Sequence, residues 1–132
     1  MKIGAMFGDV LSSLFMKPVT EKYPKVRQDP PKRFRGCIDW DAEKCTGCGI
    51  CAMDCPANAI EVIVIDKKEK RFVLQYHVDR CTFCAQCVHS CNHGCLTMKA
   101  DVWEMAALDK QGYTRWFGEA GDIQYVLAEP AL

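Results

Sequence analysis

Apolar residues at the start of the chain fall on one helical stripe. Ile3, Met6, Phe7, Val10, Leu11, Leu14 and Phe15 recur at the i, i+3, i+4, i+7 spacing, interrupted by Asp9, Ser12 and Ser13. That period predicts one amphipathic helix over residues 1–17, stopped by Pro18. Residues 18–36 lose the pattern, and their four prolines and six Lys/Arg predict an extended basic connector. Farther on the period shortens. "IEVIVID" and "RFVLQYHV" are rich in β-branched and aromatic residues and flank the polar run Lys67-Lys68-Glu69-Lys70, which predicts a hairpin. The hairpin lies inside a cysteine-rich core, residues 37–100. Residues 101–132 carry Trp103, Tyr113, Trp116, Phe117 and Tyr125, and are expected to form a tail that contacts the core or a partner. The expected class is α+β, with extended segments flanking the core.

The core repeats itself at an offset of 36 residues. Trp40 aligns with Tyr76, Glu43 with Asp79 and Lys44 with Arg80. Cys45, Cys48, Cys51 and Cys55 align with Cys81, Cys84, Cys87 and Cys91, Thr46 with Thr82, and Ile60 with Leu96. Repetition of the lead-in together with the cysteines implies two copies of one supersecondary unit.

Charge adds little: Lys+Arg and Asp+Glu balance at 17 each, so no global field calls for nucleic acid. Cysteine changes the picture. Ten of them would suit a secreted disulfide scaffold, but three thiols within seven residues suit a metal better than paired bridges. The N-terminus has no small-residue cleavage site, and no segment approaches the roughly 20 apolar residues of a membrane span. A reduced, cytoplasmic chain with free thiols is therefore expected.

Soft thiolate ligands select iron–sulfur clusters, zinc or copper(I). Structural zinc sites with four cysteines usually take two Cys-x-x-Cys pairs and have no use for the third and fourth cysteines of each run. A [4Fe–4S] cubane does: three sulfurs from one tight loop grip three irons, and the fourth iron takes a ligand from elsewhere. The run Cys-x-x-Cys-x-x-Cys-x-x-x-Cys-Pro resembles the bacterial ferredoxin pattern, in which the fourth cysteine serves the other cluster. On that pattern Cys45, Cys48, Cys51 and Cys91 hold one cluster, and Cys81, Cys84, Cys87 and Cys55 hold the other. The fold implied is a two-[4Fe–4S] ferredoxin with a pseudo-twofold repeat. Ile50, Ile60, Val62, Val88 and Leu96 would box in the cofactors with the hairpin. So small a core is expected to fold only with its clusters loaded.

Several residues stay outside this assignment. Cys37 and Cys95 fall off the ruler and are expected as small buried hydrophobes. The second run ends Cys91-Asn92 where the first ends Cys55-Pro56; Asn92 either restores an N–H that points at a sulfur or replaces proline neutrally at a helix start. Lys44 and Arg80 either offset cluster charge or are solvated. His89 and His93 are not needed as ligands, since all eight cysteines are present.

A cluster with four cysteine ligands leaves no iron open to substrate, and no phosphate loop or nucleophile–base set accompanies it. Its task is to take electrons one at a time and pass them on. The flanks extend the resemblance. The amphipathic helix, "KPVTEKYP", and "PKRFRG" before the first run resemble the two-cluster subunit of the complex I superfamily, which includes NADH–quinone oxidoreductase and membrane-bound energy-converting hydrogenases. Membrane-bound sulfur reductases and F420H2 dehydrogenases are similar in layout. The resemblance implies a peripheral subunit on the cytoplasmic face. Its implied partners are a small cluster-bearing subunit, a large catalytic subunit and a membrane arm, with ferredoxin or another low-potential donor. The N-terminal helix then lies on the membrane interface, fills a groove on a partner, or covers this domain's own core. The alternatives are a free soluble two-cluster ferredoxin, which would be acidic and compact, a domain that regulates or matures another enzyme, and a zinc module, which would be colourless.

Overall fold

The computed structural model describes residues 4, 6–101 and 105–128. Ile3 of the predicted helix, Trp103 and the last four residues of the predicted tail lie outside them. Along the chain come α1 (Phe7–Ser13), β1 (Ile38–Trp40), α2 (Ile50–Met53), β2 (Ile60–Asp66), β3 (Arg71–His77), α3 (Gln86–Ser90), β4 (Leu96–Met98), a 3-10 turn (Gln111–Tyr113), β5 (Thr114–Phe117) and α4 (Ala120–Ala128). This is a small mixed α and β domain.

The predicted hairpin is present. β2 and β3 pair antiparallel from Ile60↔Tyr76 to Asp66↔Arg71, with an irregularity between Val64 and Asp66. Asp66 helps close the turn by accepting the Lys68 N–H at 2.7 Å. Phe72, Leu74 and Tyr76 alternate onto one face of β3 and join Ile38, Trp40, Ile60 and Leu96 in the core. A second, two-stranded sheet pairs β1 with β4, register Trp40↔Leu96.

Some backbone features recur at the 36-residue offset of the sequence. The register pair Trp40↔Leu96 has Tyr76↔Ile60 as its 36-residue equivalent. Left-handed residues also recur in step: Gly47 and Phe83 (φ +66° and +53°), Gly49 and Ala85 (+75° and +64°), and Asn58 and Gly94 (+46° and +61°).

The domain runs on past residue 100. β5 pairs with β3 from Leu74↔Phe117 to His77↔Thr114, so the hairpin becomes a three-stranded sheet. The His77 and Thr114 side chains meet at 3.1 Å. α4 then packs on β3. Its Asp122, only 3 % exposed, accepts two hydrogen bonds from the Arg71 guanidinium, the one from Nε at 2.9 Å. The expected tail is thus in large part a strand and a helix of the domain itself.

The N-terminal helix is shorter than its period predicts. It ends at Ser13, where the Ser12 and Ser13 hydroxyls bond back to the carbonyls of Asp9 and Val10 at 3.0 and 2.8 Å and compete with the helical ladder. None of its residues is buried, and Met6, Phe7, Val10, Leu11, Leu14, Phe15 and Met16 all face solvent. Nothing in α1 covers this domain's own core. Residues 18–36 form no regular helix or strand, and near their end the Nη1 of Arg35 donates to the Cys84 carbonyl at 3.0 Å. Among the described residues no helix is long and apolar enough to cross a membrane.

Candidate metal centre

Two tight loops carry the cysteines. In the first, Cys45 leads into left-handed Gly47 and Gly49, after which α2 presents Cys51. The second loop uses left-handed Phe83 and Ala85 ahead of α3, which presents Cys87. Each loop folds a backbone N–H onto its first sulfur: Gly47 N to Cys45 Sγ and Phe83 N to Cys81 Sγ, both 3.4 Å. A third such contact joins Ala59 N to Cys55 Sγ at 3.2 Å. N–H groups turned onto sulfur stabilise thiolate, the ligand form.

Gly47 is under strict steric constraint. Its φ is +66°, and an added Cβ would run into the Phe72 ring of the core. Gly47→Ala is expected to lower stability by about 1–3 kcal/mol. A thermal melt of the loaded protein checks it, with Gly49→Ala, which meets nothing within 4 Å, as the control for left-handed strain alone.

The fourth cysteine of the first run keeps company with the second loop. Cys55, Cys81, Cys84 and Cys87 line one cavity, with Ile38, Pro56 and Ile60 among its other walls. The first loop shows the converse grouping. Burial pushes the Cys51 thiol up to about 11; the Ala52 N–H counters it, and the sulfurs around it, raising it further, are Cys45, Cys48 and Cys91. Burial takes Cys87 to about 11 as well, with Cys81 the strongest charged influence after it. Exposed Cys84 goes the other way: the Gln86 N–H and then the Thr82 hydroxyl hold it below its ordinary value. Loading metal must therefore displace protons from the buried thiols.

Cys37 and Cys95 are buried, as expected. Cys95 does more than pack: its Sγ lies 3.1 Å from Cys91 Sγ. Burial opposes ionisation of Cys91, yet the Cys95 thiol and the N–H groups of Cys95, His93 and Gly94 outweigh it and hold Cys91 low. Cys95 is pushed well up, by burial first and then by the bond to Cys91. Position i+4 after Cys91 was the available sequence signal for this contact. Asn92, His89 and His93 are exposed, and Lys44 pairs with Asp41 at 2.6 Å on the surface. Arg35, outside the cysteine core, fixes the second loop through the Cys84 carbonyl.

The donor set tests what the site can hold. Among the described residues no three Cys, His or carboxylate side chains close on a single-ion site. A cubane is not a single ion: it takes one sulfur at each of four iron corners. Four cysteines around one cavity, with left-handed turns between them, fit such a group at the second loop, and the first loop repeats the N–H aimed at sulfur and the left-handed turns.

Fold and site thus define a ferredoxin-like iron–sulfur protein with a dicluster domain. Residues 44–95 match the family described as 4Fe-4S dicluster domain. NAD(P)H-quinone oxidoreductase subunit I of Gloeobacter violaceus is 36% identical over 112 residues, 82% of this chain and 53% of that protein. NADH-quinone oxidoreductase subunit I 2 of Geobacter metallireducens is 34% identical over 110 residues, 78% of this chain and 83% of that one. The chain thus spans about half the length of the first relative and most of the second. Among solved structures, a chain of the membrane-bound sulfane sulfur reductase, an archaeal respiratory membrane complex, superposes with a TM-score of 0.69 and 30% identity, over 98% of this chain and 70% of that one. The chain belongs to the NADH-quinone oxidoreductase subunit I family, the two-[4Fe–4S] ferredoxin-like branch of the complex I superfamily. Its cofactors are two [4Fe–4S] clusters.

Proposed function

We propose that this chain relays single electrons through its two clusters as a peripheral subunit of a membrane-associated, complex I-like or hydrogenase-like oxidoreductase. When bound, each cluster supplies a one-electron redox centre. Cys45, Cys48, Cys51 and Cys91 hold the first, and Cys81, Cys84, Cys87 and Cys55 the second. The observation that carries this reading is the shared cavity of Cys55 with the three cysteines of the other loop. The exchange of fourth ligands, with the matched registers of β1–β4 and β2–β3, gives the core its pseudo-twofold form. Full thiolate ligation leaves the irons closed to substrate, so the chain conducts without catalysing. The apolar walls around the sulfurs, Ile38, Pro56 and Ile60, limit water at the second centre.

Its partners are a small cluster-bearing subunit, a large catalytic subunit and a membrane arm, on the cytoplasmic face. A low-potential carrier such as ferredoxin is the donor that suits such centres. The exposed apolar residues of α1 and its flanks support permanent assembly over a free carrier. Deletion of residues 1–17 is expected to abolish co-purification with a membrane complex while the truncated chain keeps its iron. Full-yield co-purification would remove the docking role. A native chain that runs as a lone small species on gel filtration would favour the free carrier.

A further inference from the structure

Two polar side-chain atoms buried in the described part of the molecule have no hydrogen-bond partner: Nε1 of Trp40 and the hydroxyl of Tyr76. Trp40 is 9% exposed and Tyr76 0%. An orphaned buried donor costs about 1–3 kcal/mol, which phenylalanine at either place would avoid. The two are also related. They occupy equivalent positions of the 36-residue repeat, and their cross-strand neighbours, Leu96 and Ile60, are equivalent in turn. One orphan could be an accident of packing; a matched pair points to a matched need.

What surrounds Tyr76 indicates the acceptor. Tyr76 shares the buried core cluster with Cys87, and Cys81 packs against that cluster. Its strand neighbour Ile60 is a wall of the cavity shared by Cys55, Cys81, Cys84 and Cys87. Trp40 belongs to the same core cluster as Cys45 and Cys95. A neutral O–H or N–H with no oxygen or nitrogen to take it, set among thiolate ligands, is a donor awaiting sulfur.

We propose that the Tyr76 hydroxyl and the Trp40 indole N–H are sulfur-directed donors, one to each [4Fe–4S] centre, and that each raises the reduction potential of its own centre. The proposal rests on the ligand assignment above. Reduction adds negative charge to a cluster and its sulfurs, and a hydrogen bond from a buried donor stabilises that charge. Both are tuning residues and bind neither substrate nor iron. The 36-residue relation assigns Tyr76 to the Cys81 loop and Trp40 to the Cys45 loop.

Potentiometric titration followed by electron paramagnetic resonance tests this on the full chain. Tyr76→Phe is expected to retain iron, shift one cluster to lower potential and leave the other in place. Trp40→Phe is expected to shift the other cluster alone. Replacing Trp40 by 3-benzothienylalanine, which keeps the indole shape without the N–H, gives the same result should phenylalanine leave a destabilising gap. Incorporating 3-fluorotyrosine, a stronger donor, moves the Tyr76-dependent cluster in the opposite direction and covers any loss of iron in Tyr76→Phe. Unchanged potentials in a chain holding two clusters, or both positions acting on the same cluster, overturn the proposal with the ligand reading intact. A chain without two clusters instead fails the ligand reading.

Discussion

Changing Cys55 to alanine will empty the Cys81 loop and spare the loop in which Cys55 itself resides. Cys55 shares its cavity with Cys81, Cys84 and Cys87, so on the ligand set proposed above its loss removes one of four ligands from that centre. Iron should fall from about eight atoms per chain to about four. The sharper measurement is a pair of double variants. Cys55→Ala combined with Cys84→Ala should lose no more iron than either alone, because both act on one cluster. Cys55→Ala combined with Cys48→Ala should lose nearly all of it. If Cys55 served its own loop, the two outcomes would exchange places. Cys91→Ala should behave as the mirror case, silent with Cys48→Ala and additive with Cys84→Ala.

Removing both clusters should unfold the core. Of the ten residues in the central apolar cluster, three are cysteines, Cys45, Cys87 and Cys95, which leaves seven other side chains to hold the domain. Without metal the buried thiols keep only weak sulfur hydrogen bonds, such as Gly47 N–H to Cys45 and Cys95 to Cys91, and the loops are kept in left-handed turns at a conformational cost. Stabilisation by metal in small metal-bound domains is of the order of 10 kcal/mol, comparable to the whole stability of a domain at about 5–15 kcal/mol. Treatment with an iron chelator under anaerobic reducing conditions should therefore abolish the cooperative melt and the β signal in far-ultraviolet circular dichroism. An apoprotein that melts cooperatively within a few degrees of the loaded form would show that the polypeptide packs without help.

The parts of this molecule that read directly from the chain are those whose signal is local. The cysteine ruler is periodic in itself. The β2–β3 hairpin has seven residues of β-prone sequence in each strand and a polar turn between. β5 has four residues, Thr114–Phe117, and is held by β3, a partner 37 residues away at the His77–Thr114 contact. α4 is anchored by Asp122, a buried carboxylate that sequence alone would place on the surface; only Arg71 makes its burial tolerable. The N-terminal stripe over-reached for the opposite reason. Its apolar period continues through Phe15, but two serines turn their hydroxyls onto the backbone and end the helix early. The contact of Cys95 with Cys91 had only its i+4 spacing as a signal, and the orphan donors of Trp40 and Tyr76 became visible only in three dimensions.

The strand pairing has a consequence for ancestry. β1 and β2 come from the first unit of the repeat, β3 and β4 from the second, and the ladders run β1–β4 and β2–β3. Every ladder of the core thus crosses between units, and neither unit has one of its own. A solitary ancestor of this half-length could close its sheets only by meeting a second copy of itself. The present chain carries both halves, so these ladders close within one polypeptide, and β5 and α4 extend it along β3.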